Sequence, residues 1–199
     1  MTVHRDYHGY KLIEDDLLSI CEFIEPTDAN KETYSHRIYE LFLRVCTEFE
    51  SHAKERLIHY GYPKALSTPN DLKINDYKTL YTDNNFLGDR LSAEIGLKFW
   101  SPSMIYITPF QDWINGNRLS WYQAYNDVKH NRDTNFKDAS LWNLIRAYAG
   151  LSLILFQSHR WSFFQPYAAS LSARGGGAQG FTGNGCLFWV RGPGAGVEG

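Results

Sequence analysis

Lys129-His130-Asn131-Arg132 sets two cations and an imidazole within four residues, inside WYQAYNDVKHNRDTNFKDASL at 121–141. Lysine and arginine hold phosphate oxygens through charged N–H donors, and an imidazole exchanges protons near neutral pH. On one continuous helix, His130 and Arg132 would point about 200° apart. Residues four apart align instead, so Tyr122, Asn126 and His130 form one strip, with Lys129 beside it. The candidate site therefore has His130 and Arg132 as catalytic groups and Tyr122, Asn126 and Lys129 as ligand-binding groups. The competing reading is structural: cations gather in a last helical turn because they complement the helix dipole.

Other chemistry-bearing patterns are weaker. GGGAQG at 175–180 fits GxGxxG, but no strand precedes it and no helix pattern follows, so a flexible tail is the better reading than a nucleotide loop. His52 and His59 are seven apart, about 10 Å along a helix axis, too far for one metal ion. No HExxH or GxSxG pattern is present, and no metal or cofactor is expected. Cys21, Cys46 and Cys186 lack CxxC spacing and read as reduced thiols, with Cys46 packed beside an apolar stripe. Arg146 interrupts an apolar helix. Reaching along its stem to water is favoured over pairing with a carboxylate or a ligand phosphate.

The elements that must position these groups are helical. Ile38, Leu41, Phe42, Val45, Phe49, Ala53 and Leu57 recur at three- and four-residue steps, predicting a long helix near 35–59 that Gly61 and Pro63 end. Arg37, Glu40, Arg44, Glu48, Glu50 and Glu55 fall on its wet side. Leu17, Leu18, Cys21 and Ile24 suggest a shorter helix over 10–24, and Pro69-Asn70 heralds another near 71–80. Ser120 is a reasonable N-cap for a helix whose inward face is Trp121, Tyr125 and Val128. After an interruption at 131–135, residues 136–156 are apolar nearly all round, as in the centre of a bundle. Residues 120–158 thus predict a helical hairpin.

The fold class is all-α (mainly α): a bundle with an irregular or partly extended excursion at 82–110. One domain covers 1–165. Ten of the sixteen glycines crowd into 175–199, so 166–199 reads as a glycine-rich tail with one short strand at 186–190. A net charge of -2 and a pI near 6.4 argue against a globally basic nucleic-acid binder but allow a local patch. No apolar leader opens the chain, and 144–156 is too short to span a membrane, so a cytoplasmic protein without membrane association is expected.

YSHRIYELFLRVCTEFESHAKE (34–55), PFQDW (109–113) and the Tyr-Asn-x-x-Lys-His-Asn-Arg stretch within 121–155 together resemble the HEPN superfamily of small bacterial helical domains. That resemblance covers about residues 30–165. It implies RNA or nucleotide as ligand, a homodimer or a protein partner, and a setting in defence or toxin–antitoxin systems. Many such domains are metal-independent ribonucleases whose arginine and histidine lie a few residues apart on one helix. Here the order in KHNR is reversed, and no arginine has a histidine following after four to six intervening residues. The resemblance therefore implies RNA, nucleotide or partner binding first, a divergent ribonuclease using Lys129, His130 and Arg132 second, and a structural interaction module third.

Overall fold

A computed structural model of the chain describes residues 3–83, 86, 91–159 and 188–191. Among them the architecture is mainly helical, as the periodicity predicts. Helix α1 is Val3–Cys21, α2 His36–His59, α3 Pro63–Ser67 and α4 Ile74–Thr82. Strands β1 (Glu94–Leu97) and β2 (Ile105–Ile107) follow, then α5 (Gln111–Ile114), α6 (Ser120–His130), α7 (Arg132–Asn135) and α8 (Leu141–His159). Strand β3 is Phe188–Arg191.

Helix α2 is the axis of the fold. Its seven-residue apolar stripe is buried throughout, and its principal partner is α8. Ser35 caps α2, its Oγ accepting the Ile38 N–H at 3.2 Å. The helix closes at Tyr60, and Gly61 takes φ +76°, a left-handed turn in which a side chain would be strained. Helix α8 buries most of its circumference, which is why its apolar residues show no single stripe. Its first turn is stitched to the segment before α2 by main-chain bonds. Leu141 N–H donates to the Thr33 carbonyl at 2.8 Å and Trp142 N–H to the Lys31 carbonyl at 3.0 Å. The Lys31 ammonium lies over Trp142, 4.3 Å from the ring centroid, with Trp100 on the same cation at 5.6 Å.

Three helices differ from the sequence reading. Helix α8 opens at Leu141 rather than near 136, because 136–138 form a separate 3-10 turn and the Ser140 hydroxyl accepts the Asn143 N–H at 3.3 Å, fixing the first turn there. Helix α1 starts well before residue 10, and its buried stripe is Tyr10, Ile13, Leu17 and Ile20 rather than Leu17, Leu18, Cys21 and Ile24. That stripe is selected by α8: Tyr10 stacks on Tyr148 with centroids 5.3 Å apart, and its hydroxyl lies 3.1 Å from Ser152 Oγ. Helix α4 begins three residues later than expected, at Ile74, because the Asp76 carboxylate accepts the Lys73 N–H at 2.7 Å and fixes the first turn there.

The excursion at 82–110 carries a small sheet. Strands β1 and β2 pair antiparallel with Ile95 opposite Ile107, and β3 pairs antiparallel on the other edge of β1, in the order β2-β1-β3. The strand expected at 186–190 is found at 188–191. Cys186 and GGGAQG lie outside the described residues, as does nearly all of the 166–199 tail. Among the described residues no helix is long and apolar enough to cross a membrane.

Candidate functional site

Helix α6 is held at its start by an acid from another helix. Asp112 of α5 accepts both the Ser120 N–H and the Ser120 hydroxyl at 2.7 Å, and the Arg146 guanidinium donates to the same oxygen at 2.9 Å. Ser120 is thus the first helical residue and not the N-cap, which is Leu119. Arg146 does not run to water. It pairs with Asp112 and the Ser120 hydroxyl, because α5 brings a carboxylate within reach that sequence spacing does not reveal. Burial pushes the Asp112 carboxyl up, but the Ser120 hydrogen bonds and Arg146 outweigh it and hold the group below its ordinary value.

One face of α6 is pinned to α2. Trp121, Tyr125 and Val128 are buried, as their spacing predicts. Tyr122 is buried too, so the strip it shares with Asn126 and His130 is wet only beyond its first turn. Its hydroxyl donates to Glu50, and the Tyr125 hydroxyl reaches the other oxygen of that carboxylate at 3.2 Å. Burial and the Glu50 charge raise the Tyr122 phenol far above the ordinary tyrosine range, so it remains a neutral donor. Lys129 is exposed but folds back, its ammonium 2.9 Å from the Tyr125 hydroxyl and 4.8 Å from that ring's centroid. The hydrogen bond to Tyr125 raises its pKa and keeps it charged.

His130 is exposed at the last residue of α6, and Arg132 is exposed at the first of α7. Arg132 Nη2 lies 2.8 Å from His36 Nδ1, at the opening of α2. The same guanidinium lies over the Tyr39 ring at 4.6 Å and near the Phe136 ring at 5.4 Å. The arginine and histidine that the sequence separates by 96 positions are thus neighbours in the fold.

A groove of about 320 Å³ runs along the start of α6. Leu119, Tyr122 and Trp113 are its buried apolar residues; Asn75, Asn117, Gln123 and Asn126 supply amides; Lys73, Lys78 and Arg118 supply charge. Among the described residues no carboxylate lines it. None of the three cations enters an ion pair among the described residues. Gly116, at φ +76°, turns the chain so that Asn117 and Arg118 reach the rim. Acids on the flanking elements are engaged elsewhere: Asp112 as above, and Asp76 by the Tyr62 hydroxyl at 3.0 Å and Lys64 at 2.6 Å. A second groove, of about 240 Å³, mixes Arg37 and Arg44 with Asp16 and Glu40, and an Arg44–Asp16 pair at 2.8 Å neutralises part of it.

Of the five candidate residues, Tyr122 and Asn126 line the first groove. Lys129 and His130 follow on the same strip of α6, and Arg132 joins His36, Tyr39 and Phe136 past its end. Lys73, Lys78 and Arg118 carry no motif or spacing signal in the sequence. Lys73 and Lys78 precede Arg118 by 45 and 40 positions, and only the meeting of α4 with the α5–α6 loop makes them a cluster. No protein-family model matches the chain, and neither a curated protein nor a solved structure does.

Proposed function

We propose that the chain is a HEPN-like helical domain that binds RNA or nucleotide through the groove at the start of α6, in the defence or toxin–antitoxin setting such domains serve. No catalytic step belongs to this reading. The carrying observation is the groove's composition: among the described residues it has three cations outside any ion pair, four amides and no acid. Phosphate oxygens match the three cations and the amides of Asn75, Asn117 and Asn126, the Gln123 amide being shared with Asp127, whereas a neutral or cationic ligand leaves the like charges facing one another. The overall charge of -2 does not oppose this, because the cations are local and the Debye length is only about 8 Å in physiological salt.

Fluorescence anisotropy with labelled RNA in EDTA tests the reading. The triple variant Lys73→Glu, Lys78→Glu, Arg118→Glu is expected to bind at least about 100-fold more weakly. The slope of log affinity against log salt should shrink by about 2, since each lost single-strand phosphate contact removes about 0.7. Wild-type affinity in the triple variant would overturn the assignment.

A second reading, a metal-independent ribonuclease, is favoured by one observation: Arg132 meets His36 two residues beyond the exposed His130. An imidazole there would take the ribose 2′-hydroxyl proton as the 2′-oxygen bonds to phosphorus and the 5′-oxygen leaves with a proton from water. The guanidinium would stabilise the phosphorane. Purified protein should then cleave single-stranded RNA in EDTA, and His130→Ala or His36→Ala should abolish cleavage. Full cleavage by both variants would sink this reading.

A further inference from the structure

We propose that the groove and the Arg132 cluster are the two ends of one track for single-stranded nucleic acid, with Arg132 as a base-stacking shelf at the far end. The inference rests on the groove reading above and adds the class of strand and the direction in which it lies.

The helix itself connects the ends. Leu119, Tyr122, Gln123 and Asn126 line the groove, at steps of three and four. The next positions on that strip are Lys129 and His130, both exposed, and Arg132 opens the following helix. A ligand leaving the groove along α6 therefore meets a cation and an imidazole before the shelf. Asp127, on the same helix, accepts the Gln123 amide at 2.8 Å.

Arg132 is built unlike a stabilising arginine. It is exposed, and among the described residues it pairs with no carboxylate. Its guanidinium carbon instead lies over the Tyr39 ring and near the Phe136 ring, and its Nη2 meets His36. Tyr34, half exposed, stands edge-on to Phe136 at 5.7 Å and extends the aromatic surface. A flat guanidinium resting on rings is a surface on which an unpaired base stacks, and every base has a face to offer. A duplex keeps its bases inside and cannot use such a shelf. A mononucleotide reaches only one end. From Leu119 to His130, the last residue of α6, the helix rise gives about 16 Å, which roughly five stacked nucleotides cover at about 3.4 Å each, and Arg132 lies just past that end.

The experiment compares a labelled single-stranded 12-mer, a trimer, a mononucleotide and a duplex of the same sequence, in ribo and deoxy forms, on the intact chain. The 12-mer is expected to bind at least about tenfold more tightly than the others, whichever sugar it carries. Arg132→Ala should weaken 12-mer binding by roughly 5- to 100-fold and leave trimer binding unchanged. Arg132→Lys, which keeps the charge and loses the plane, should resemble Arg132→Ala. Arg132 is exposed, so thermal unfolding of both variants should match the parent. Equal binding of duplex and single strand, or wild-type affinity in Arg132→Lys, overturns the track while the charge-reversed groove variant still reports on the groove. Failure of every nucleic acid to bind overturns both, and capture of a protein by the Arg132 cluster in place of a strand overturns the track.

Discussion

Trp121→Ala is expected to cost about 3–5 kcal/mol, a large share of the 5–15 kcal/mol that holds a typical domain together. The indole is fully buried. It stands edge-on to Phe49 of α2, with centroids 5.3 Å apart, and donates its N–H to the Pro109 carbonyl at 2.9 Å. It also fills the space left open on α8 by Gly150, where an added Cβ would lie 3.2 Å from Trp121 Cζ2. One ring therefore touches α2, α8 and the segment before α5, and deleting it leaves a cavity at the point where three elements meet. The Pro109 carbonyl loses its partner as well, which adds to the cavity term. Urea denaturation should show the midpoint falling with the slope unchanged, and heating should show a drop of roughly 10 °C or more. A loss below about 1 kcal/mol would mean that α6 is not anchored by this residue. Because Tyr122 and Asn126 ride on the same helix, RNA affinity should fall along with stability. Exposed Arg132→Ala should separate the two effects.

The same residue shows what sequence can and cannot reveal. Trp121, Tyr125 and Val128 declare their inward face because 3.6-residue periodicity is a local property, and the stripe of α2 does likewise. Partners across the fold carry no such signal. Glu50 belongs to the polar side of α2 by spacing, yet two phenols from α6 close on it. Arg146 has no carboxylate in its own helix, and the one it pairs with comes from a four-residue helix 34 positions earlier. Helix α1 follows the same rule: its apolar residues allow two stripes, and contact with α8 selects between them. The Tyr-Asn-x-x-Lys-His-Asn-Arg stretch marks a helix and its end correctly. It does not disclose that the groove borrows its charge from 73–78 and 118, or that His36 waits 96 positions away for Arg132.

Acid should weaken the fold through a histidine that the site does not use. His52 of α2 is buried, and that burial pushes its pKa from 6.5 down to about 4. Asp6 of α1 pulls the other way, while His159 of α8, Arg56 and Arg5 reinforce the depression. Glu48 and Glu55 lie 3.9 and 3.8 Å from its ring nitrogens, too far to rescue the charged form. His159 stands 3.1 Å from Asp6, yet burial still holds it below its ordinary value. In the unfolded chain both histidines take up protons near pH 6.5, and in the folded chain only at lower pH. The unfolded state therefore binds more protons in between, so stability is complete above about pH 6.5 and falls as pH drops towards 4. His52 alone accounts for a loss of about 1 kcal/mol by pH 5.5 and about 2–3 kcal/mol by pH 4.5. Glu55, raised by burial, titrates in the opposite sense and offsets part of this. Urea midpoints measured at pH 7.5, 5.5 and 4.5 should decline in that order, and His52→Gln should flatten the decline. An unchanged pH profile in that variant would remove His52 from the account. Because Asp6, His52 and His159 belong to α1, α2 and α8, the protonation that charges this cluster acts at the seam holding α1 to the bundle. Hydrogen exchange at low pH should accordingly open α1 before α2 or α8.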